Sequence, residues 1–290
     1  MVNIAVIGSA SIDLVVSANK RPQAGETVLG KSFTTVPGGK GANQAVAAAR
    51  LGAKVTMIGR VGDDEYGKQI LNNFRANGVL TQFMEPVTDC SSGTAHIILA
   101  EGDNSIVVVQ GANDYVTPAY VKGASQAIET ADIVLVQQEI PEETVEYTAK
   151  LCAKLRIPLL LNPAPARVIG DEVIELATYI TPNEHEYKLL FKGDDSSTVL
   201  KKYPNKLIIT EGKNGARFYN GNEEVVVPSF SVPIVDTTGA GDTFNAAFAV
   251  AISEGRSIEE ALIFANRAAS LSITKFGAQG GMPTRAEMKG

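Results

Sequence analysis

One short turn carries two carboxylates and three threonines: Asp236-Thr237-Thr238-Gly239-Ala240-Gly241-Asp242-Thr243-Phe244-Asn245. An extended run, Val225 to Val235, leads into it, and an apolar helical run, Ala246 to Ile252, follows. Gly239 and Gly241 let the backbone turn tightly with its N–H groups aimed inward. The helix start adds the positive end of its dipole at the same place. Together these features suit an anion, with phosphate the natural candidate. Asp242 reads two ways. A carboxylate at a helix start is a common cap. It is also where a general base would stand if a hydroxyl had to attack that phosphate.

Other residues fit the same chemistry, since phosphoryl transfer asks a protein mainly for positioning and charge stabilisation. Asp13 comes just past the first strand-like run, at the edge where open α/β sheets bind ligands. Asn183 and Glu186, in Thr181-Pro182-Asn183-Glu184-His185-Glu186, stand where a strand enters a helix. They could organise Mg²⁺ through water, because that ion keeps several of its waters. His185 between them lacks a second His or Cys for a transition-metal site. Other chemistries lack their motifs. Gly8-Ser9-Ala10-Ser11-Ile12-Asp13 occupies the place where a dinucleotide fold wants GxGxxG. The P-loop pattern and the Gly-x-Ser-x-Gly nucleophile turn are both absent.

The elements that must position these residues follow from periodicity. Val2 to Gly8 is a nearly continuous apolar run ending in glycine, as a buried parallel strand reads. Short strands at Asp13–Ser17 and Glu26–Val36 interrupt the strand–helix rhythm. A Gly-rich turn and an Ala-rich helix span Gly38 to Leu51, with Gly52 as C-cap. A strand at Val55–Ile58 and a helix at Tyr66–Ala76 come next. Thr94–Leu99 and Ser105–Val109 flank Gly102-Asp103-Asn104 as a hairpin, with His96 expected to pack. From Pro118 onward helices and strands alternate. The helices are Pro118–Thr130, Glu142–Leu155 and Glu184–Phe191; the strands are Asp132–Val136, Pro158–Leu161, Tyr179–Thr181 and Lys206–Thr210. A hairpin over Phe218–Val227 turns at Asn220-Gly221. Helices Ala240–Glu254 and Ser257–Lys275 close the chain, the second with a Ser257/Glu260 capping box. This alternation predicts a three-layer α/β/α fold, a mostly parallel sheet between helices. The chain reads as a single domain over 1–290, with a small β-sheet lid inserted within about 12–36 and 94–109.

A chain of 290 residues with 44% hydrophobic content can bury a full core. A net charge of −6 without basic runs argues against a nucleic-acid footprint. Cys90 and Cys152 have no metal-type spacing and read as reduced thiols, Cys152 on an apolar helix face. No apolar run is long enough to span a bilayer and no basic leader opens the chain, so a cytoplasmic protein is expected.

The turn at Asp236–Asn245 resembles the C-terminal signature of the ribokinase-like (PfkB) carbohydrate kinases. Gly38-Gly39-Lys40-Gly41-Ala42-Asn43-Gln44-Ala45 is similar to the same family's N-terminal signature. The two motifs are far apart, in the family's order, and the likeness runs over nearly the whole chain. The resemblance implies an ATP-dependent kinase for the primary hydroxyl of a small sugar, with D-ribose giving D-ribose 5-phosphate as the first expectation. Deoxyribose, a nucleoside or a fructose derivative are the alternatives within the family; a non-catalytic sugar or nucleotide sensor is the alternative outside it.

Roles carry over residue by residue. Asp242 matches the catalytic base, and Gly239, Ala240 and Gly241 the anion hole. Asp13, Gly39, Lys40, Asn43 and Glu139 match sugar contacts. Ser11 stands where ribokinases usually carry asparagine, and it should face the sugar with Asp13 because i and i+2 share a strand face. Asn183, Thr210, Glu211, Gly212, Gly215, Gly241 and Asn266 match the nucleotide site, and Glu186 the Mg²⁺ region. A monovalent-cation site for K⁺ carries over onto Asp236 and Thr238, with backbone from Ser272, Lys275, Gly277 and Gly281. The second signature reads Gly-Ala-Gly-Asp here where ribokinases usually have Ala-Ala-Gly-Asp, and the region Gly193–Pro204 is short for the family. Lids in the family pair between subunits, so a homodimer is expected.

Overall fold

The structure, a computed structural model, describes residues 1–289. In chain order the elements begin with β1 (Asn3–Ile7), β2 (Ser11–Ala18), β3 (Gly30–Gly38), α1 (Lys40–Arg50), β4 (Lys54–Gly62), α2 (Glu65–Ala76), β5 (Leu80–Val87), β6 (Gly93–Ala100) and β7 (Asp103–Val109). Next come α3 (Pro118–Gly123), α4 (Ser125–Glu129), β8 (Ile133–Val136), α5 (Glu142–Leu155), β9 (Leu159–Leu161), α6 (Asp171–Leu176), β10 (Tyr179–Ile180), α7 (Glu184–Leu190) and α8 (Ser196–Lys202). The chain closes with β11 (Ile208–Thr210), β12 (Ala216–Tyr219), β13 (Glu224–Val227), α9 (Ala240–Ser253) and α10 (Ile258–Ser272).

Six strands form a parallel sheet in the order β10-β9-β8-β1-β4-β5. Parallel bridges from Ile180 to Leu207 and from Asn183 to Thr210 continue it toward the antiparallel trio β11-β12-β13. Both faces of the sheet are covered, which is why the central strands are apolar throughout. In β1, Ile4 and Val6 join the core under α1, α2, α9 and α10, while Ala5 and Ile7 join the core under α3 to α6. β8 divides its side chains the same way: Ile133 and Leu135 on one face, Val134 and Val136 on the other. The result is the expected three-layer α/β/α arrangement. Strand order reverses between β1 and β8, and such a switch point is where open sheets bind ligands. No helix among the described residues is long and apolar enough to cross a membrane.

The four strands β3-β2-β6-β7 form a separate sheet, the lid. Its hairpin turns one residue earlier than Gly102-Asp103-Asn104. Glu101 (φ 58°) and Gly102 (φ 77°) are both left-handed, as a two-residue hairpin turn of the primed type requires. His96, expected to pack, is exposed on the outer lid face beside Thr94.

Other expectations are corrected by local chemistry. The helix expected over Pro118–Thr130 is two helices broken at Ala124, whose φ is −97° and ψ 10°. The extended run after Val225 leaves the sheet at Val227, where Pro228 follows. Strand β5, Leu80-Thr-Gln-Phe-Met-Glu-Pro-Val87, has a mixed pattern with an internal proline, tolerable because it is the sheet edge. Helices α6 and α8 are too short to show a period; α8 fills the short Gly193–Pro204 region.

Candidate active site

The glycines of Gly38-Gly39-Lys40-Gly41 bring the start of α1 onto the end of β1. A Cβ on Gly41 would lie 2.7 Å from the Gly8 carbonyl carbon and from the Ser9 nitrogen. Gly39 has φ 89°, and a Cβ there would lie 2.9 Å from Ala10 Cα. Gly39 gives the helix no side-chain cap. Glu139, in the loop after β8, supplies it from across the sheet: its Oε2 accepts from the Lys40 amide at 2.9 Å and from Ser9 Oγ at 2.5 Å.

Asp242 lies in the first turn of α9, 7% exposed, against α1. Asn43 Nδ2 donates to its Oδ2 at 2.9 Å, and Gln44 Nε2 donates to its Oδ1 at 3.1 Å. Burial pushes the Asp242 carboxyl upward, opposed by Lys40 and by the amides of Asn43 and Gln44. Burial would depress the Lys40 ammonium, but Asp242, Glu139, Glu186 and Asp13 around it outweigh that and hold it above the usual lysine range. One cation thus sits among four carboxylates. Gly239 is left-handed at φ 77°, and a Cβ there would meet Ala278 at 2.9 Å. The Ala240 amide donates back to Thr237 at 3.3 Å. Among the described residues the Gly241 and Asp242 amides have no backbone acceptor, leaving them for an anion.

Two cavities meet at the turn before α9; Ile234 and Thr237 line both. The first, about 710 Å³, lies under the lid and is lined by Asp13, Val36, Ile97, Asp236 and Ala278 among others. A Cβ on Gly38 would fall 2.1 Å from Asp13 Oδ1, so glycine there leaves the room this carboxylate occupies. Asp13 is pushed up to about 6, first by burial and then by Glu139, with the Ser11 hydroxyl and Lys40 pulling the other way. Ser11 therefore does share a face with Asp13.

The second cavity, about 870 Å³, is lined by Asn183, Thr210, Gly212, Gly215, Gly241 and Asn266, with Phe230 and Ile273 adding apolar wall. Asn266 lines it but spends its Nδ2 on the carbonyls of Val227 (2.8 Å) and Pro228 (3.1 Å). Glu211 departs from expectation: its carboxylate pairs with Arg217 and is not in the cavity wall. Asn183 and Glu186 form a capping box on α7, with Glu186 raised chiefly by burial.

The residues expected around a monovalent cation also converge. Asp236 Oδ1 accepts from the Thr238 amide (2.9 Å) and hydroxyl (2.7 Å), and Oδ2 from the Gly277 amide (2.9 Å). These bonds outweigh burial and hold Asp236 below the usual carboxylate range, so it stays ionised. A Cβ on Gly281 would fall 1.8 Å from the Ser272 carbonyl oxygen, so only glycine lets these two segments touch. The Lys275 side chain leaves the cluster to pair with Glu287.

Sequence reading missed the amides behind the first line. Gln44 follows Asn43 inside the recognised signature, and a helix start that faces one carboxylate with two consecutive amides was the available signal. Ser9, which donates to Glu139, and Gln137 and Asn162, which bond the Gln44 amide at 2.6 and 3.0 Å, carry none.

Comparison with known proteins bears on this geometry. The family pattern "pfkB family carbohydrate kinase" matches residues 1–285. A ribokinase of Bacillus subtilis is 67% identical over 289 residues, covering 100% of this chain and 99% of that protein. A ribokinase of Lactococcus lactis is 48% identical over 290 residues, covering 100% and 96%. The structure of Arabidopsis thaliana ribokinase complexed with ribose and ATP superposes with a TM-score of 0.92 at 34% identity, covering 100% of this chain and 98% of that one.

Proposed function

Because the chain belongs to the pfkB family of carbohydrate kinases, we propose that it moves the γ-phosphoryl group of ATP to the primary hydroxyl of D-ribose, giving D-ribose 5-phosphate and ADP. The observation that carries this reading is Asp242, a buried carboxylate beside free helix-start amides, in the first turn of the helix whose preceding turn, at Thr237, borders both a cavity under the lid and a larger cavity beyond it. Ribose suits the first cavity, where Asp13 can accept from two of its hydroxyls; Lys40 and Glu139, which act on Asp13, and Asn43, which bonds Asp242, are assigned to the reacting end. ATP suits the second, with Thr210, Gly212, Gly215 and Asn266 around the base and Asn183 toward the phosphates.

In this mechanism the Asp242 carboxylate takes the proton of the primary hydroxyl. That oxygen bonds to the γ-phosphorus as the bond to the β–γ bridging oxygen breaks, and ADP leaves. The amides of Gly241 and Asp242 and the α9 dipole hold the charge on the transferring group. Lys40 holds negative charge among the carboxylates. Magnesium bound with ATP neutralises phosphate charge; Glu186, one carboxylate at the start of α7, suits an ion held largely by phosphates and water. Residues 1–290 act as one catalytic unit with its lid, in the cytoplasm.

The substrate is tested by ADP release across ribose, deoxyribose, fructose and nucleosides, with Ser11→Asn alongside. Ribose should be the best substrate. The longer asparagine adds one neutral hydrogen bond, so Ser11→Asn should lower the ribose KM by about two- to tenfold. Ribose turnover undetectable in both proteins, with another acceptor active, refutes the reading.

The ionised Asp236, the Thr238 carbonyl and the backbone of Ser272, Lys275, Gly277 and Gly281 offer hard oxygens suited to K⁺. A cation there steadies the turn that carries Gly239 to Gly241, so kcat should rise with K⁺; equal kcat in potassium and in a bulky organic-cation buffer rules the site out.

The lid favours a homodimer. Its outer face carries Phe33, Val16 and Ile98 side by side, with Phe33 62% and neighbouring Val107 67% exposed. Among the described residues its edge strands β3 and β7 have unpaired outer edges. Light scattering should give the mass of two chains; a single-chain mass at micromolar concentration contradicts this.

A further inference from the structure

We infer that Gln279 is a positioning residue for the Asp242 base, the central link of a hydrogen-bond relay that runs from Arg50 to the carboxylate and ties it to the 277–281 loop. The inference rests on the reading of Asp242 as general base.

A carboxamide can present either its donor or its acceptor end, so a chain of amides has two possible polarities. Here both ends force the same one. Arg50 has only donors, and its Nε donates to Asn77 Oδ1 at 2.8 Å. Asn77 Nδ2 must then donate onward, which it does to Asn73 O at 2.9 Å and Asn73 Oδ1 at 3.3 Å. Asn73 Nδ2 donates to Gln279 Oε1 at 2.8 Å. Gln279 Nε2 donates to Asn43 Oδ1 at 3.0 Å. Asn43 Nδ2 donates to Asp242 Oδ2 at 2.9 Å. An ionised carboxylate only accepts, so the last link demands the polarity that the first imposes.

Gln279 and Asn43 are each 6% exposed, so no water competes freely for these bonds. The loop around Gln279 is pinned from both sides. Arg50 Nη1 donates to the carbonyls of Gln279 at 2.5 Å and Met282 at 3.2 Å. Asp236 accepts from the Gly277 amide. A shift of this loop therefore moves the amide that orients Asn43. That gives the turn at Asp236 a route to the base separate from the backbone of α9. Without Gln279, Asn43 can turn its oxygen toward Asp242, and the carboxylate loses a donor on one oxygen. Charged groups facing it, Lys40 from α1, Glu139 after β8, Asp13 from β2 and Glu186 from α7, are unchanged by this loss.

The test is Gln279→Met, similar in volume and unable to bond, assayed for kcat, KM and the pH profile of kcat. A bond to a charged group is lost, so kcat should fall on the order of tenfold. The acid limb of kcat should move to higher pH by up to about one unit, since the lost donor favoured the ionised form. In an Asn43→Ala background the same substitution should change neither, because the relay is already cut. Gln279→Glu, nearly the same shape but acceptor-only when ionised, should be at least as damaging above neutral pH, whereas a space-filling role makes it the milder change. Thermal unfolding of each variant controls for folding. A parent-like kcat and pH profile in Gln279→Met, or an effect that adds fully to Asn43→Ala, overturns the inference. Asp242→Asn in the same assay separates the two readings: full activity there removes the base itself, while a crippled Asp242→Asn beside a parent-like Gln279→Met removes only the relay.

Discussion

Asp242→Asn should bind ribose and ATP and barely turn over. The substitution keeps the shape of the side chain but removes the group that accepts the proton. General-base loss typically costs ~10²–10⁴-fold in rate. Asn43 and Gln44 both donate to the carboxylate. An amide at 242 can accept from only one of them in its usual orientation, so a local rearrangement accompanies the chemical loss. The fold should survive, because the substitution removes a buried charge that burial opposes. The expected pattern is kcat reduced by about two to four orders of magnitude, KM values within roughly tenfold, and an unfolding temperature no lower than the parent's. If the variant turns over within a few-fold of the parent, Asp242 is only the acidic residue of a helix start.

The second large effect is expected at Asp13. Asp13→Ala removes the acceptor for two sugar hydroxyls. Bonds to a charged acceptor are worth about 1.5–3 kcal/mol each, so kcat/KM for ribose should fall by ~10²–10⁴-fold. Stability should move the other way. The folded-state value of about 6 lies above the ordinary 3.8. Asp13 therefore contributes most to stability below pH 3.8, and that contribution is lost as pH rises through about 6. At neutral pH the ionised group costs the unliganded protein up to about 3 kcal/mol, and Asp13→Ala should unfold at an equal or higher temperature. The same titration predicts that kcat/KM for ribose in the parent falls as pH drops through about 6, since a protonated carboxyl cannot accept from both hydroxyls. A parent profile flat from pH 5 to 8, or an alanine variant with unchanged kcat/KM, contradicts the role.

These residues were legible in the sequence to very different degrees. Asp242, Gly239 and Gly241 stood out because a helix start with two glycines and a carboxylate has a short list of physical uses. Gly39 and Gly41 stood out as glycines, but what they avoid, the backbone of Ala10 and Ser9 just past the end of β1, lies far back in the chain and is invisible to spacing. The central strands were readable because burial on both faces leaves no polar alternation to confuse. β5 was not, because an edge strand can carry Pro86 and exposed polar residues without penalty. Helix α3–α4 read as one helix although Gly123, a poor helix former, stands directly before the break at Ala124 and was the available signal for it. Glu211 was placed in the nucleotide site by its neighbours in sequence, and Arg217 on the next strand takes it away. Gln279, Asn73 and Asn77 could not have been found from the chain alone. A relay of amides has no spacing; it exists only when α1, α2 and the last loop are packed together.

The most direct measurement is phosphorus NMR of the protein incubated with Mg-ATP and ribose. The γ-phosphate signal should disappear in step with the growth of ADP and one phosphomonoester, whose phosphorus couples to the two methylene protons of the primary carbon, and Asp242→Asn should abolish this on the same time scale. Inorganic phosphate as the sole product, an ester coupled to the single anomeric proton, or an unchanged rate in Asp242→Asn would contradict this reaction.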